Sequence, residues 1–201
     1  MTNRRGFIEQ ASMLVAGGVA GGSILSGCNS DGSKAITVQS PAQFISKEQD
    51  MNGKILAVGS DHAGYALKAR ILNNIKEMGH EIVDMGCFDE TPVDFPDIAQ
   101  KVCAEILNGK AQRGIMFCGT GVGAAIACNK IPGIRAAVCH DIYSAHQCVE
   151  HDDVQVITLG AQIIGHSIAL ELIERFLGAT FSTDEEFRRR VEKLNQMDKH
   201  T

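Results

Sequence analysis

Short apolar runs alternate with stretches of helical spacing from residue 54 to residue 197, and that alternation leaves little choice of fold. Residues 54–59, 81–85, 114–118, 134–139 and 154–159 read as strands, each of the length and apolar character of a buried parallel strand. Between them, residues 65–78, 97–107, 122–129, 141–149 and 165–177 read as helices, and 183–197 as a last, charged one. In the first helix Leu67, Ile71, Leu72, Ile75 and Met78 share one face, with Lys68, Arg70, Asn74 and Glu77 outside and Gly79 as the stop. Thr183 and Glu186 have the spacing of a capping box. Five strands joined by crossover helices predict a doubly wound, three-layer α/β/α sandwich with a Rossmann-like five-stranded parallel sheet. The last helix has no obvious partner among the earlier elements. Phe187, Val191 and Leu194 on it are expected to cover a neighbouring subunit, which points to a homodimer.

Composition narrows the function. Apolar residues make up 44% of the 201 and charged residues 21%, enough for a core, and no internal repeat is visible. A net charge of −5 argues against a nucleic-acid surface. At the N-terminus Arg4 and Arg5 precede Phe7-Ile8, and an uncharged run follows, ending in Leu25-Ser26-Gly27-Cys28. These are the parts of an export signal. The run is less apolar than the roughly 20 residues of a spanning helix. The arginine pair resembles a twin-arginine signal. Leu-Ser-Gly-Cys resembles a lipobox whose Cys28 is acylated. We therefore expect residues 1–28 to be an export signal, 29–50 a flexible tether and 51–201 the functional domain of an exported, periplasmic or cell-envelope lipoprotein. It would meet the membrane only through that N-terminal anchor.

In a doubly wound sheet ligands gather outside the carboxyl ends of the strands. The loop there that most suits chemistry is Cys118-Gly119-Thr120-Gly121-Val122-Gly123. Glycines let a backbone bend sharply and approach a ligand, and the loop amides offer oxyanion donors. Such a field favours the thiolate of Cys118, and a thiolate beside oxyanion donors suits removal of a proton alpha to a carbonyl. Spacing alone favours a buried structural cysteine above an ordinary βα turn. A third reading takes Gly119-x-Gly121-x-x-Ala124 with Asp141 as a loose dinucleotide fingerprint, although that motif normally opens the first βαβ unit. Asp61 sits where a helix N-cap or an acid/base carboxylate would sit, with His62 beside it. His151, at a helix end before the fifth strand, reads as a cap or as an acid/base. Cys87, Cys103, Cys128, Cys139 and Cys148 form no CxxC pair or zinc spacing and read as small apolar fillers, some able to pair in an oxidising compartment. Arg188, Arg189 and Arg190 read as a solvated face paired with Glu185, Glu186 and Glu192.

Taken together, these residues resemble the ribose-5-phosphate isomerase B / galactose-6-phosphate isomerase family. The resemblance is carried by Gly59-Ser60-Asp61-His62-Ala63-Gly64, Asp94-Phe95-Pro96-Asp97, Cys118 to Gly123, Ala127-Cys128-Asn129-Lys130, Gly133-Ile134-Arg135-Ala136, Tyr143-Ser144-Ala145 and Glu150-His151, in order over about residues 53–195. It implies an aldose–ketose isomerase working through a 1,2-enediolate on an open-chain sugar or sugar phosphate. Cys118 is then similar to the base, Thr120 with the amides of Gly119, Gly121 and Gly123 to the enediolate donors, and Asp61 to the carboxylate that handles hydroxyl protons. His151 is similar to the ring-opening residue, and His62 to one near the phosphate end. It further implies homodimers with shared active sites, and no metal or organic cofactor.

The chain departs from that pattern around the expected phosphate. Asp152 stands where Asn is common, Gln162 where a substrate-facing Arg is usual, and Glu186 where the first of two phosphate-binding arginines is usual, with Arg190 at the second. Phe95 replaces the usual Tyr. Two positive charges are lost and two negative ones appear, so the substrate is expected to be a pentose or hexose that is phosphorylated by family or, on these substitutions, unphosphorylated. An exported, non-catalytic sugar-binding lipoprotein on the same scaffold is the alternative.

Overall fold

A computed structural model describes residues 53–198. The expected export signal, the tether and the Cys28 lipidation site lie outside the described residues.

The five strands are β1 (Ile55–Ser60), β2 (Glu81–Asp84), β3 (Arg113–Cys118), β4 (Ala136–Val138) and β5 (Val156–Gly160). They form one parallel sheet in the order β2-β1-β3-β5-β4. The helices are α1 (His62–Glu77), α2 (Phe95–Leu107), α3 (Val122–Cys128), α4 (Ile142–Asp152), α5 (His166–Gly178) and α6 (Glu185–Met197). One core layer joins Leu67, Ile71 and Ile75 of α1 to Val149 of α4 and to Leu172, Ile173 and Phe176 of α5. The other joins Ile98, Val102 and Cys103 of α2 to Ala124 and Cys128 of α3. Each fully buried large side chain contributes about 1.5–3 kcal/mol, and both faces of the sheet are covered, as an all-parallel sheet requires.

The chain winds outward from β1 in one direction and from β3 in the other, so the topological switch lies between these two strands. Their carboxyl ends, Ser60 and Cys118, frame the crevice where such folds bind ligands.

Three local expectations are corrected. Lys68 is not on the outer face of α1. It is 1% exposed, and its ammonium donates to Asp84 Oδ1 (2.6 Å) and to the Cys87 carbonyl (2.8 Å). The acid at the end of β2 is what lets the lysine turn inward. The N-cap of α6 is Asp184 rather than Thr183, with no side-chain capping bond, because Glu186 is instead paired with Arg190. Finally, α6 is no orphan. It packs along α4 of its own chain, where Val191 is buried and Arg135 donates to Asn195 Oδ1 (2.9 Å).

Candidate active site

The sequence places Cys118 at the last position of β3, in register with Gly160 of β5. Its carbonyl accepts from Ala161 N (2.8 Å), and the Gly119 carbonyl accepts from Gln162 N (3.0 Å), so the glycine loop and the turn after β5 are stitched together. Gly121 has φ +79°, and a Cβ there would lie 3.0 Å from Val138 Cγ2, so conformation and space both demand glycine. A Cβ on Gly123 would lie 3.0 Å from the Phe95 ring, which makes Phe95 a wall of the loop. Cys118 is 7% exposed within one chain and packs among Ala57, Ile98 and Ala124. The thiol therefore lies just under the surface of the sheet edge, not open at its mouth. With seven residues, α3 supplies little dipole, so the loop's own amides and Thr120 are the oxyanion donors the geometry offers. Thr120 is exposed, and its Oγ1 accepts from Val122 N at 3.4 Å.

Asp61 comes to the same sheet edge as Cys118 because α1 starts against β3. Its amide donates to the Phe117 carbonyl (3.1 Å), and Gly64 lies so close that a Cβ there would collide with the Phe117 carbonyl and Cys118 N. The N-cap reading of Asp61 is the one its contacts show. Its Oδ1 accepts from Gly64 N (2.8 Å) as an N-cap, while the carboxylate, 5% exposed, stays at the strand edge beside Cys118. His62 is exposed, and its Nδ1 accepts from Val93 N (3.3 Å). With Nδ1 accepting, Nε2 is the ring nitrogen left to donate. The Gln162 side chain lies 3.5 Å from where a Gly119 Cβ would be, alongside the base loop. The dinucleotide reading fails here, because Asp141 is committed to capping α4. Its carboxylate accepts from Ser144 Oγ (2.6 Å) and Ser144 N (2.8 Å), bonds that hold it below the usual carboxylate range.

His151 does not join Cys118 within one chain. It sits in the last turn of α4, which runs back from the carboxyl edge of the sheet to the amino edge. There Arg135, just before β4, donates to the Asp152 carbonyl (2.8 Å) and pairs with Asp153 (2.8 Å). A strand of five residues spans about 13 Å, so His151 and Cys118 lie at opposite ends of the sheet. His151 stacks flat on Phe187 of α6, ring centroids 4.1 Å apart at 6°, and Arg190 covers Phe187 at 5.5 Å. Phe187 was expected to face a neighbouring subunit; it serves this intrachain stack instead. Arg190 also donates to Glu186 Oε2 (3.3 Å). The sequence-predicted residues thus separate into two groups at opposite edges of the sheet. Asp61, His62, Cys118, Gly119, Thr120, Gly121, Gly123 and Gln162 gather at the carboxyl edge, and His151, Asp152, Glu186 and Arg190 at the amino edge.

Lys68 and Phe187 are the supporting residues whose roles sequence reasoning missed. Lys68 holds the turn after β2, whose Cys87 amide donates to the Ser60 carbonyl (2.7 Å) beside Asp61. The remaining cysteines are buried, as small apolar fillers would be: Cys103 and Cys128 lie in the layer of α2 and α3, and Cys139 and Cys148 in the layer of α4 and α5. A neighbouring thiol, and then burial, push Cys128 and Cys148 upward. Among the described residues no three His, Cys, Asp or Glu side chains gather as metal ligands.

A thiol, a capping carboxylate and a glycine loop at the switch point of a parallel α/β sandwich define a class, that of enzymes doing proton-transfer chemistry on a small polar substrate. The comparisons with known proteins make it specific. Residues 56–194 match the family model described as Ribose/Galactose Isomerase, and the chain belongs to that family. It is 44% identical to "Ribose-5-P isomerase B" of Listeria innocua over 127 residues, 63% of this chain and 86% of that protein. It is 43% identical to "D-erythrulose-4-phosphate isomerase" of Pectobacterium atrosepticum, over 63% of this chain and 84% of that one. Among solved structures, ribose-5-phosphate isomerase B of Clostridium thermocellum superposes with a TM-score of 0.71 at 40% identity, covering 73% of this chain and 98% of that one.

Proposed function

We propose that this protein is an aldose–ketose isomerase in which Cys118 is the base. The observation that carries the reading is the placement of Cys118 at the end of β3, across the switch point from Asp61 and under the glycine loop. In the step proposed, the Cys118 thiolate takes the proton from C2 of an open-chain aldose. The electron pair forms the C1–C2 double bond, and the carbonyl oxygen becomes an enediolate oxygen held by Thr120 and the loop amides. Asp61 carries the hydroxyl proton from O2 to O1, and the thiol returns its proton to C1, which gives the ketose. No residue is consumed, and no oxidant or reductant is required.

The same reading calls for two copies. His151, the ring opener the resemblance implies, lies at the far end of the sheet from its own Cys118, so a complete site joins the carboxyl edge of one protomer to the amino edge of another. Exposed apolar residues beside the base loop support such a contact: Val122 and Ile126 on α3, Val138 on β4, and Ile142 and Tyr143 at the start of α4.

The names of the relatives favour a sugar phosphate. A specific contact favours a sugar with a hydroxyl at that end. A phosphate dianion needs several charge-assisted bonds, yet Arg190 is already paired with Glu186, Gln162 carries no charge, and His62 Nδ1 already accepts from Val93 N. Export through the N-terminal signal, which belongs to the same proposal, places the enzyme where phosphorylated sugars are scarce. The test is entry of solvent deuterium at C2 across ribose, allose, galactose and their phosphates. Label entering the free sugars at comparable or greater kcat/KM supports the reading. A preference of a hundredfold or more for the phosphates overturns the hydroxyl reading, and binding without label entry overturns catalysis.

A further inference from the structure

His140 lies at the carboxyl edge of the sheet, yet the proposed chemistry makes no use of it. Strand β4 ends at Val138, the Cys139 amide donates to the Thr158 carbonyl (3.3 Å) as a further rung to β5, and Asp141 already caps α4. His140 is the one residue between that rung and that cap, so its backbone is held from both sides. Its ring turns to β5, where Nε2 accepts from Gly160 N (3.1 Å). The ladder thus gains one more rung, with a ring nitrogen standing where a carbonyl would.

Gly160 is the floor of the glycine loop. It pairs with Cys118 in the register of β3 and β5. A Cβ on Gly160 would lie 2.7 Å from the Thr120 carbonyl oxygen, and a Cβ on Gly121 would lie 3.3 Å from Gly160 N. The peptide from Thr120 to Gly121 therefore rests directly on the residue that His140 holds. The loop's other ties to this side fix its carbonyls: the Thr158 hydroxyl donates to that of Gly121 (2.9 Å), and Ala161 N and Gln162 N donate to those of Cys118 and Gly119. His140 fixes the strand beneath the Gly121 amide, one of the oxyanion donors.

We propose, resting on the isomerase reading above, that His140 is a positioning residue for the reaction: it holds Gly160 and, through Gly160, the Thr120–Gly121 peptide whose amide donates to the enediolate. The role demands an acceptor at the reach of Nε2. Glutamine, whose Oε1 extends as far, substitutes for the histidine, and leucine does not. A donor aimed at charge that develops in the transition state raises kcat without tightening substrate binding, so losing its aim lowers kcat and kcat/KM together and leaves KM in place.

The experiment compares His140→Leu and His140→Gln with the unaltered full chain, well below the melting temperature of all three. Solvent deuterium entry into the aldose that the unaltered protein turns over best gives kcat and KM, and amide hydrogen exchange without substrate reads the loop. In His140→Leu, kcat is expected to fall about tenfold or more with KM within about twofold. The amides of Gly121 and Gly160 are expected to exchange about tenfold faster while those of α1 keep their protection. His140→Gln is expected to bring both readings back near the unaltered protein. His140→Asn, polar but too short to reach Gly160, is expected to behave as His140→Leu and replaces it if the leucine variant does not fold. The proposal is overturned if protection falls evenly across the domain, the mark of a purely structural residue, or if His140→Gln is as slow as His140→Leu. Unchanged turnover in His140→Leu overturns this proposal alone, whereas no label entry in the unaltered protein overturns the isomerase reading and this proposal with it.

Discussion

Replacing Gly64 by Ala tests how the carboxylate and the thiol are brought together. Gly64 is the third residue of α1, where alanine would ordinarily stabilise the helix by about 1 kcal/mol. Here the new Cβ would lie 2.7 Å from Cys118 N and closer still to the Phe117 carbonyl, and neither is a side chain that can swing away. Overpacking costs about 1–3 kcal/mol, and contact with backbone puts this site at the upper end, so the net loss is about 2 kcal/mol. For a domain of this size that lowers the melting temperature by about 4–8 °C. Pushing α1 off β3 also separates Asp61 from Cys118, and a displacement of 1 Å is enough to lower turnover about a hundredfold. Gly123→Ala is the control. Its Cβ would meet the Phe95 ring at 3.0–3.3 Å, a side chain that can give, so its stability should stay within about 1 kcal/mol of wild type. Thermal unfolding and label entry read both effects. Gly64→Ala melting at the wild-type temperature with unchanged turnover would refute the close seating of α1 on the base strand.

Two further outcomes follow from buried charge. Lys68→Met strands the Asp84 carboxylate and removes the tie to the Cys87 carbonyl. Since Asp84 keeps 26% of its side chain exposed, the loss should be about 2–4 kcal/mol, read by urea unfolding; a change under about 0.5 kcal/mol would contradict the assigned role. His80 is buried, and its Nδ1 accepts from Lys54 N (3.1 Å). Burial, and then the Lys54 charge, hold its imidazole below the ordinary 6.5. Its folded value lies below its unfolded one, so its contribution is present above 6.5 and is lost as pH falls through the folded value. The urea midpoint should therefore drop on acidification more steeply in wild type than in His80→Gln, and parallel slopes would remove His80 from the acid response.

Much of this architecture can be read directly from the chain. The apolar runs located all five strands, β1, β3 and β5 most plainly because they are almost wholly buried, and the glycines after Cys118 marked the loop above it because Gly121 needs that bend. What escaped was long-range pairing. Lys68 looks like an outer-face residue until Asp84, sixteen positions on, is placed beside it. The stack of Phe187 on His151 joins elements whose spacing carries no periodic signal. The fourth strand is shorter than its apolar run because Arg135 is drawn to the α4 terminus. The two groups of candidate residues at opposite sheet edges follow from winding order, since a residue just before a strand and one just after a strand cannot share an edge.

The most direct test of the central claim is solvent deuterium entry at C2 of an aldose substrate, with Cys118→Ala compared against the unaltered protein under matched binding. Loss of a positioned base should cut label entry by about a hundredfold or more while the sugar still binds. Label entering the Cys118→Ala protein at the wild-type rate would mean that the proton is taken by another group.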